Sequence, residues 1–123
     1  MGGRIEPSSV LGPMYLARNA VAASDTANAV AGSGVDLTQY TYAILDIVLT
    51  GSSPTVDVTP QFYNTSAATY IDGAVRTVAS TTNATFTQRL VVEVDNSPDT
   101  YFKCTAVAGS QPTVSIYVTG LNS

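Results

Sequence analysis

The side chains able to do chemistry in this 123-residue chain are few, and histidine is absent altogether. That removes in one step the commonest general base, the Ser-His-Asp and Cys-His arrangements and most zinc sites. Cys104 is the single cysteine, so no internal disulfide can form, and its apolar, alternating context marks it as a small buried hydrophobe. Nine carboxylates remain: Glu6, Asp25, Asp36, Asp46, Asp57, Asp72, Glu93, Asp95 and Asp99. Glu93 and Asp95 fall on one strand face at ~6–7 Å, a spacing open to a retaining glycosidase pair or a calcium clamp. The stronger reading is that Glu93 points outward beside Arg89 and that Asp95 opens a turn. Asp95, Asn96 and Asp99 offer oxygen ligands at short intervals, yet they lack the fixed pattern of a calcium loop, and Asp and Asn are what a tight turn needs. The sequence is therefore read as having no catalytic residue, no metal ligand and no cofactor. Asp46, set between Leu45 and Ile47 in the most apolar segment, must find a partner, because an unpaired buried charge costs several kcal/mol. Arg76 or Arg89 within the chain is expected, ahead of an arginine across a subunit contact.

The charge balance narrows the partners. Charged residues make up 11% of the chain, less than half of the ~25% usual in globular domains. The five cations, Arg4, Arg18, Arg76, Arg89 and Lys103, are scattered, and the net charge is −4. Nucleic-acid binding needs clustered cations and membrane-surface binding a basic amphipathic stretch, so neither is expected. The apolar run around 43–49 is broken by Asp46 and is far short of a bilayer span. No charged segment followed by an apolar one opens the chain, so no signal peptide is expected. Low charge suits strands faced with Thr and Ser, and it also suits a surface covered by partners. Seven tyrosines and no tryptophan read as strand residues and interface anchors before they read as a sugar platform.

Positioning falls to β-structure. Residues 1–34, rich in Gly, Ala, Ser and Asn, read as an extended or partly ordered N-terminal arm with too few large apolar side chains to fold alone, open to adding one strand to the body. Its segment 11–16 would lie across a neighbouring subunit. Residues 35–123 read as a β-sandwich domain. Segment 40–50 is apolar on both faces, Gly51-Ser52-Ser53-Pro54 reads as a turn, and 55–63 follows with Pro60 at an edge or bulge. Segment 69–79 carries Asp72-Gly73, a hairpin signal. Segment 85–95 alternates cleanly, 100–107 places Phe102, Cys104 and Ala106 inward, 108–112 reads as a turn, and 113–119 alternates again. The fold class is all-β: an antiparallel β-sandwich or jelly-roll-like barrel of six to eight strands. No repeat of fixed period is evident.

The stretch 35–49, which begins Val35-Asp36-Leu37 and turns at Tyr40 into a long apolar strand, resembles the opening of small tailed-bacteriophage virion proteins. The segments Arg89-Leu90-Val91-Val92-Glu93-Val94-Asp95, Tyr101-Phe102-Lys103-Cys104 and 112–118 continue the resemblance, which covers about residues 30–120. Such proteins are capsid decoration (cement) proteins or related head and neck components. The resemblance implies a structural virion protein, assembled in the host cytoplasm, that stabilises the lattice of the major capsid protein. Its partners would be that protein and copies of itself in a symmetric homo-oligomer. Leu11, Met14, Tyr15, Leu16, Tyr40 and Tyr42 are the expected contact residues. The alternatives are another neck or tail component and, in a different class, a carbohydrate-binding β-sandwich module.

Overall fold

The alternation read from the sequence becomes strand in the computed structural model, which describes residues 10–25, 34–80 and 85–122. Among the described residues the protein is all-β, and two strands of 23 residues dominate it, β2 (Tyr42–Asn64) and β6 (Thr100–Asn122). They pair antiparallel along nearly their whole length. On the far side of β6, β1 (Val10–Val21) pairs with its second half. On the far side of β2, β5 (Phe86–Glu93) pairs with the first half, and β4 (Arg76–Ala79) and β3 (Thr69–Asp72) pair with the second.

This single antiparallel sheet curls over on itself. Arg76 on β4 donates a 3.1 Å hydrogen bond to the carbonyl of Val91 on β5. Their partners on β2, Val58 and Ile44, would stand roughly 45 Å apart on a straight strand, so β2 must double over. The core fills the fold: Leu45, Ile47, Leu49, Val114, Ile116 and Val118 from one half meet Val56, Val58, Val78, Phe102 and Cys104 from the other, all buried. On β2, Ala43, Leu45, Ile47 and Leu49 are fully buried while Tyr42, Ile44, Asp46 and Val48 are half-buried, so the strand has one core face and one partly covered face.

Several expected turns are absent. The strands continue unbroken through 51–54 and 108–112, which instead hold the bulged crossing where β2 and β6 bend. Asp72-Gly73 is not a hairpin turn: β3 and β4 both pair with β2, and the Gly73 amide donates to the Pro60 carbonyl at 2.7 Å. Pro60 lies at the gap between these two neighbours, where its missing N–H leaves no ladder bond unmade. Ala106 is exposed, not inward, because its positive φ of 53° breaks the alternation at the crossing. Within residues 1–34, Val10–Val21 adds one edge strand to the body, with Ala17 and Arg18 buried. Residues 1–9 and 26–33 lie outside the described residues.

The structure also exposes an internal repeat that the sequence reading missed. Strand β6 begins at position 100 and β2 at 42, 58 residues earlier, and both are 23 residues long. Each carries Gly-Ser-x-Pro-Thr-Val at its centre, at 51–56 and 109–114. Gly51 and Gly109 have φ of 113° and 119°, and the residues two further on, Ser53 and Gln111, have φ of 49° and 52°. The glycines interlock reciprocally: a Cβ on Gly51 would come within 2.8 Å of the Ser110 carbonyl oxygen, and one on Gly109 within 2.9 Å of that of Ser52. Ahead of each strand stands Val-Asp-x4-Thr-Tyr, at 35–42 and 94–101. The Val35 amide donates to Thr100 O at 2.9 Å, and the Val94 amide donates to Thr41 O at the same distance. Arg18 opposite Ile116 is matched by Arg76 opposite Val58. The chain is thus two similar halves about a pseudo-two-fold axis through the Ser52–Ser110 pair.

Candidate functional site

Strand β1 stands at one end of the strand order and pairs with β6 alone, so its outer edge has no partner among the described residues. Leu11, Met14, Tyr15 and Leu16 are 62, 57, 39 and 43% exposed along it. No charged residue lies between Val10 and Ala17. A long apolar edge strand without charge is the kind that pairs with another chain, because nothing repels an incoming strand. Pro13 falls at the register shift between Leu11 and Met14 and withholds one donor there.

The strand is anchored at its far end. Arg18 turns inward and forks onto Asp25 at 2.6 and 3.0 Å, with a further bond to the Phe102 carbonyl at 3.0 Å. Asp25 Oδ2 also accepts from the Cys104 amide at 2.9 Å, and the Asp25 amide donates to the Cys104 carbonyl. The two side chains are 3 and 7% exposed. Burial by itself would raise the Asp25 pKa, but the bonds from Arg18 and Cys104 and the arginine's charge hold it below the ordinary carboxylate range. Cys104 is fully buried and its thiol is pushed up to about 11, chiefly by that burial.

The expected contact residues divide. Tyr15 and Tyr40 border one shallow groove of about 260 Å3 with Pro13, Asp36 and Thr38. Tyr40 is half-buried, and its ring occupies the space that side chains would need at Gly12 and Gly120, so it ties β1 to β6. Tyr42, in β2, pairs with Leu121, which pairs in turn with Leu11, so it stands in the same cross-strand row two strands in from the β1 edge.

The acidic residues settle as follows. Asp46 is paired with Arg89, at 2.7 Å to Nε and 3.0 Å to Nη2, which fulfils the expected internal pairing. It sits on the strand's half-buried face, and Arg89 is largely exposed. Asp95 and Asn96 adopt φ of 52° and 57°, the left-handed turn geometry that these residues tolerate best. Among the described residues no group of three or more His, Cys, Asp and Glu is placed to hold a metal ion.

A second constellation went unread in the sequence. Tyr63, Tyr70 and Tyr101 form an edge-to-face ladder with ring centroids 5.0 and 5.6 Å apart. The signal for its first rung was present, since Tyr63 and Tyr70 flank the 65–68 turn symmetrically and pair directly. Beside it two grooves meet at Phe62 and Asp95. One, of about 400 Å3, is bordered by Tyr63, Asn64, Asn96 and Ser97; the other, of about 270 Å3, by Gly73, Arg76 and Glu93.

No family model, no curated protein and no solved structure matches this chain.

Proposed function

We propose that the chain is a structural protein of a virus particle, a capsid decoration (cement) protein that binds the assembled lattice of the major capsid protein. The observation that supports this reading is the exposed, uncharged edge of β1. An edge strand offers backbone donors and acceptors for strand addition, and its side chains supply the apolar contact. Covering what remains exposed of Leu11, Met14, Tyr15 and Leu16 would contribute on the order of 1 kcal/mol per side chain. The low charge of the whole chain, 11%, fits a surface that works under cover, because interface cores are depleted in charge. No step of this function requires a cofactor, a membrane or a nucleic acid.

Cosedimentation with assembled capsids tests it. Met14→Lys and Leu16→Lys change exposed positions and leave the core intact, so circular dichroism should not change. Capsid occupancy at equal protein concentration should fall severely. Equal occupancy of variant and unaltered protein would remove β1 from the contact, and absence of the unaltered protein from the pellet would end the decoration reading.

A further inference from the structure

We infer that the outer face of the β1–β6–β2–β5 side of the sheet is an interface between two copies of this chain, packed face to face about a two-fold axis. Along each strand the residues that alternate with the core positions point away from the core. The ladder registers set them in cross-strand rows, Met14–Thr119–Ile44–Val91 and then Leu16–Tyr117–Asp46–Arg89. Leu121 and Tyr42 flank these rows on one side, and Val48 on the other. On the two inner strands, Tyr42, Ile44, Val48, Tyr117 and Leu121 each keep part of their surface open. Among the described residues the strands make their extensive contacts with ladder neighbours, so no strand lies across this face.

The fold does not force such a face. In its counterpart across the pseudo-two-fold axis, the first half of β6 and the second half of β2 hold Asp57, Thr59, Lys103 and Thr105 at the outward positions, polar throughout. One backbone plan thus carries a polar outer face on one side and an apolar one on the other. An antiparallel sheet that is apolar on both faces is one that is covered on both.

Charge, relief and size select a second copy as the cover. Asp46 and Arg89 neutralise each other through bonds of 2.7 and 3.0 Å, so a partner needs no charge of its own to face them. Glu93 lies at the corner beside Tyr42, exposed, where it can stay in water. Along β6 the outward residues Leu121, Thr119, Tyr117 and Ser115 alternate large and small. They stand ~6.8 Å apart, and a two-fold operation offset by one such step sets each copy's Tyr117 against the other's Thr119. An isologous contact demands this self-complementarity. Four strands ~4.8 Å apart, over the length of 42–50 in β2, give a footprint of roughly 19 by 30 Å. Two copies then bury about 1,100 Å2, above the ~1,000 Å2 that a specific interface needs. Sheets packed this way keep their strands within about 30° of each other. The β1 edge stays at the margin, with its backbone open to an added strand.

Sedimentation equilibrium of the free protein, without capsids, tests the assignment. A monomer–dimer equilibrium in the micromolar range or tighter is expected. Thr119→Lys and Val48→Lys each bring two ammonium groups into a symmetric contact and should weaken it at least about a hundredfold. Their far-UV circular dichroism should not change. Thr105→Lys, on the counterpart face, should leave the dissociation constant as it was. A protein still monomeric at about 100 μM, a dimer indifferent to both face variants, or an equal loss with Thr105→Lys would overturn the assignment. A monomeric protein whose capsid occupancy falls with Val48→Lys would give the face to the capsid protein and overturn it likewise. Since capsids take no part in the equilibrium, a dimer that fails to cosediment with them would end the decoration reading and leave this interface standing.

Discussion

The two halves of the molecule share one backbone plan and carry different chemistry on it. Arg18 and Arg76 hold equivalent places opposite Ile116 and Val58. Arg18 is buried against Asp25, whereas Arg76 is exposed and reaches a single backbone carbonyl. The edge beyond Arg18 is one uninterrupted strand, uncharged and apolar on its outside. The matching edge in the second half is broken into β3 and β4, carries Asp72 bonded to Gln61, and borders the groove lined by Gly73 and Arg76. The paired glycines and the Val-Asp turns stay alike because the crossing and the interlocking turns admit little else. The edges diverge because an outer strand is constrained only by the neighbour it already has.

Four experiments would break or sharpen this comparison. The largest effect is expected from Arg18→Met, which strands Asp25 in a buried site and should cost roughly 3 kcal/mol in chemical denaturation. Arg76→Met should change the unfolding midpoint far less. Equal losses would mean that the two arginines do the same work and that burial does not distinguish the halves.

Gly51→Ala and Gly109→Ala come next. Each forces a side chain into left-handed backbone against carbonyl oxygens at 2.7–2.9 Å, and each should cost about 2 kcal/mol, a fall of roughly 8–10 °C in melting temperature. Near-equal losses support the pseudo-two-fold axis. A large loss at one glycine alone would show that the axis is only approximate.

Acid should act on the first half selectively. The folded-state pKa of Asp25 is lowered, so its stabilisation is complete above the unfolded value near pH 4 and is lost as pH falls through the depressed folded value. Stability measured from pH 5 downward should drop more steeply in the unaltered protein than in Arg18→Met. Parallel curves would assign acid sensitivity to other carboxylates.

The smallest effect is expected at Arg89. Its pair with Asp46 is well formed but largely exposed on the arginine side, and such pairs contribute little and are screened by salt. Arg89→Ala should shift the melting temperature only slightly, and the shift should vanish in molar salt. A large, salt-independent loss would mean that the pair is shielded from water in the working assembly.

How much of this was legible beforehand follows from the range of each cause. The sequence by itself determined the all-β class, the core faces at Leu45, Ile47, Val92, Phe102 and Ile116, and the turn at Asp95 and Asn96, because period-two alternation and turn chemistry act within a few residues. For Asp46 it left Arg76 and Arg89 open, and the register of β2 against β5 chose Arg89. It misled at 51–54, at 108–112 and at Asp72-Gly73. Gly, Ser and Pro announce that the backbone departs from regular strand, but a hairpin, a bulge and a bend all make that demand. Which of them forms depends on partners more than fifty residues away, and the reciprocal packing of Gly51 and Gly109 decided it. The repeat stayed hidden because its spacing drifts from 59 to 58 residues and identity survives mainly at turns. The fate of Val10–Val21 was likewise tertiary. Its few large apolar residues cannot order it alone, and it becomes strand because β6 offers a free edge and the Arg18–Asp25 pair fastens its end. The Tyr63–Tyr70 rung is local, set by the 65–68 turn between β2 and β3, but Tyr101 joins it from β6. No local pattern encodes that second meeting, since the register of β2 against β6 sets it.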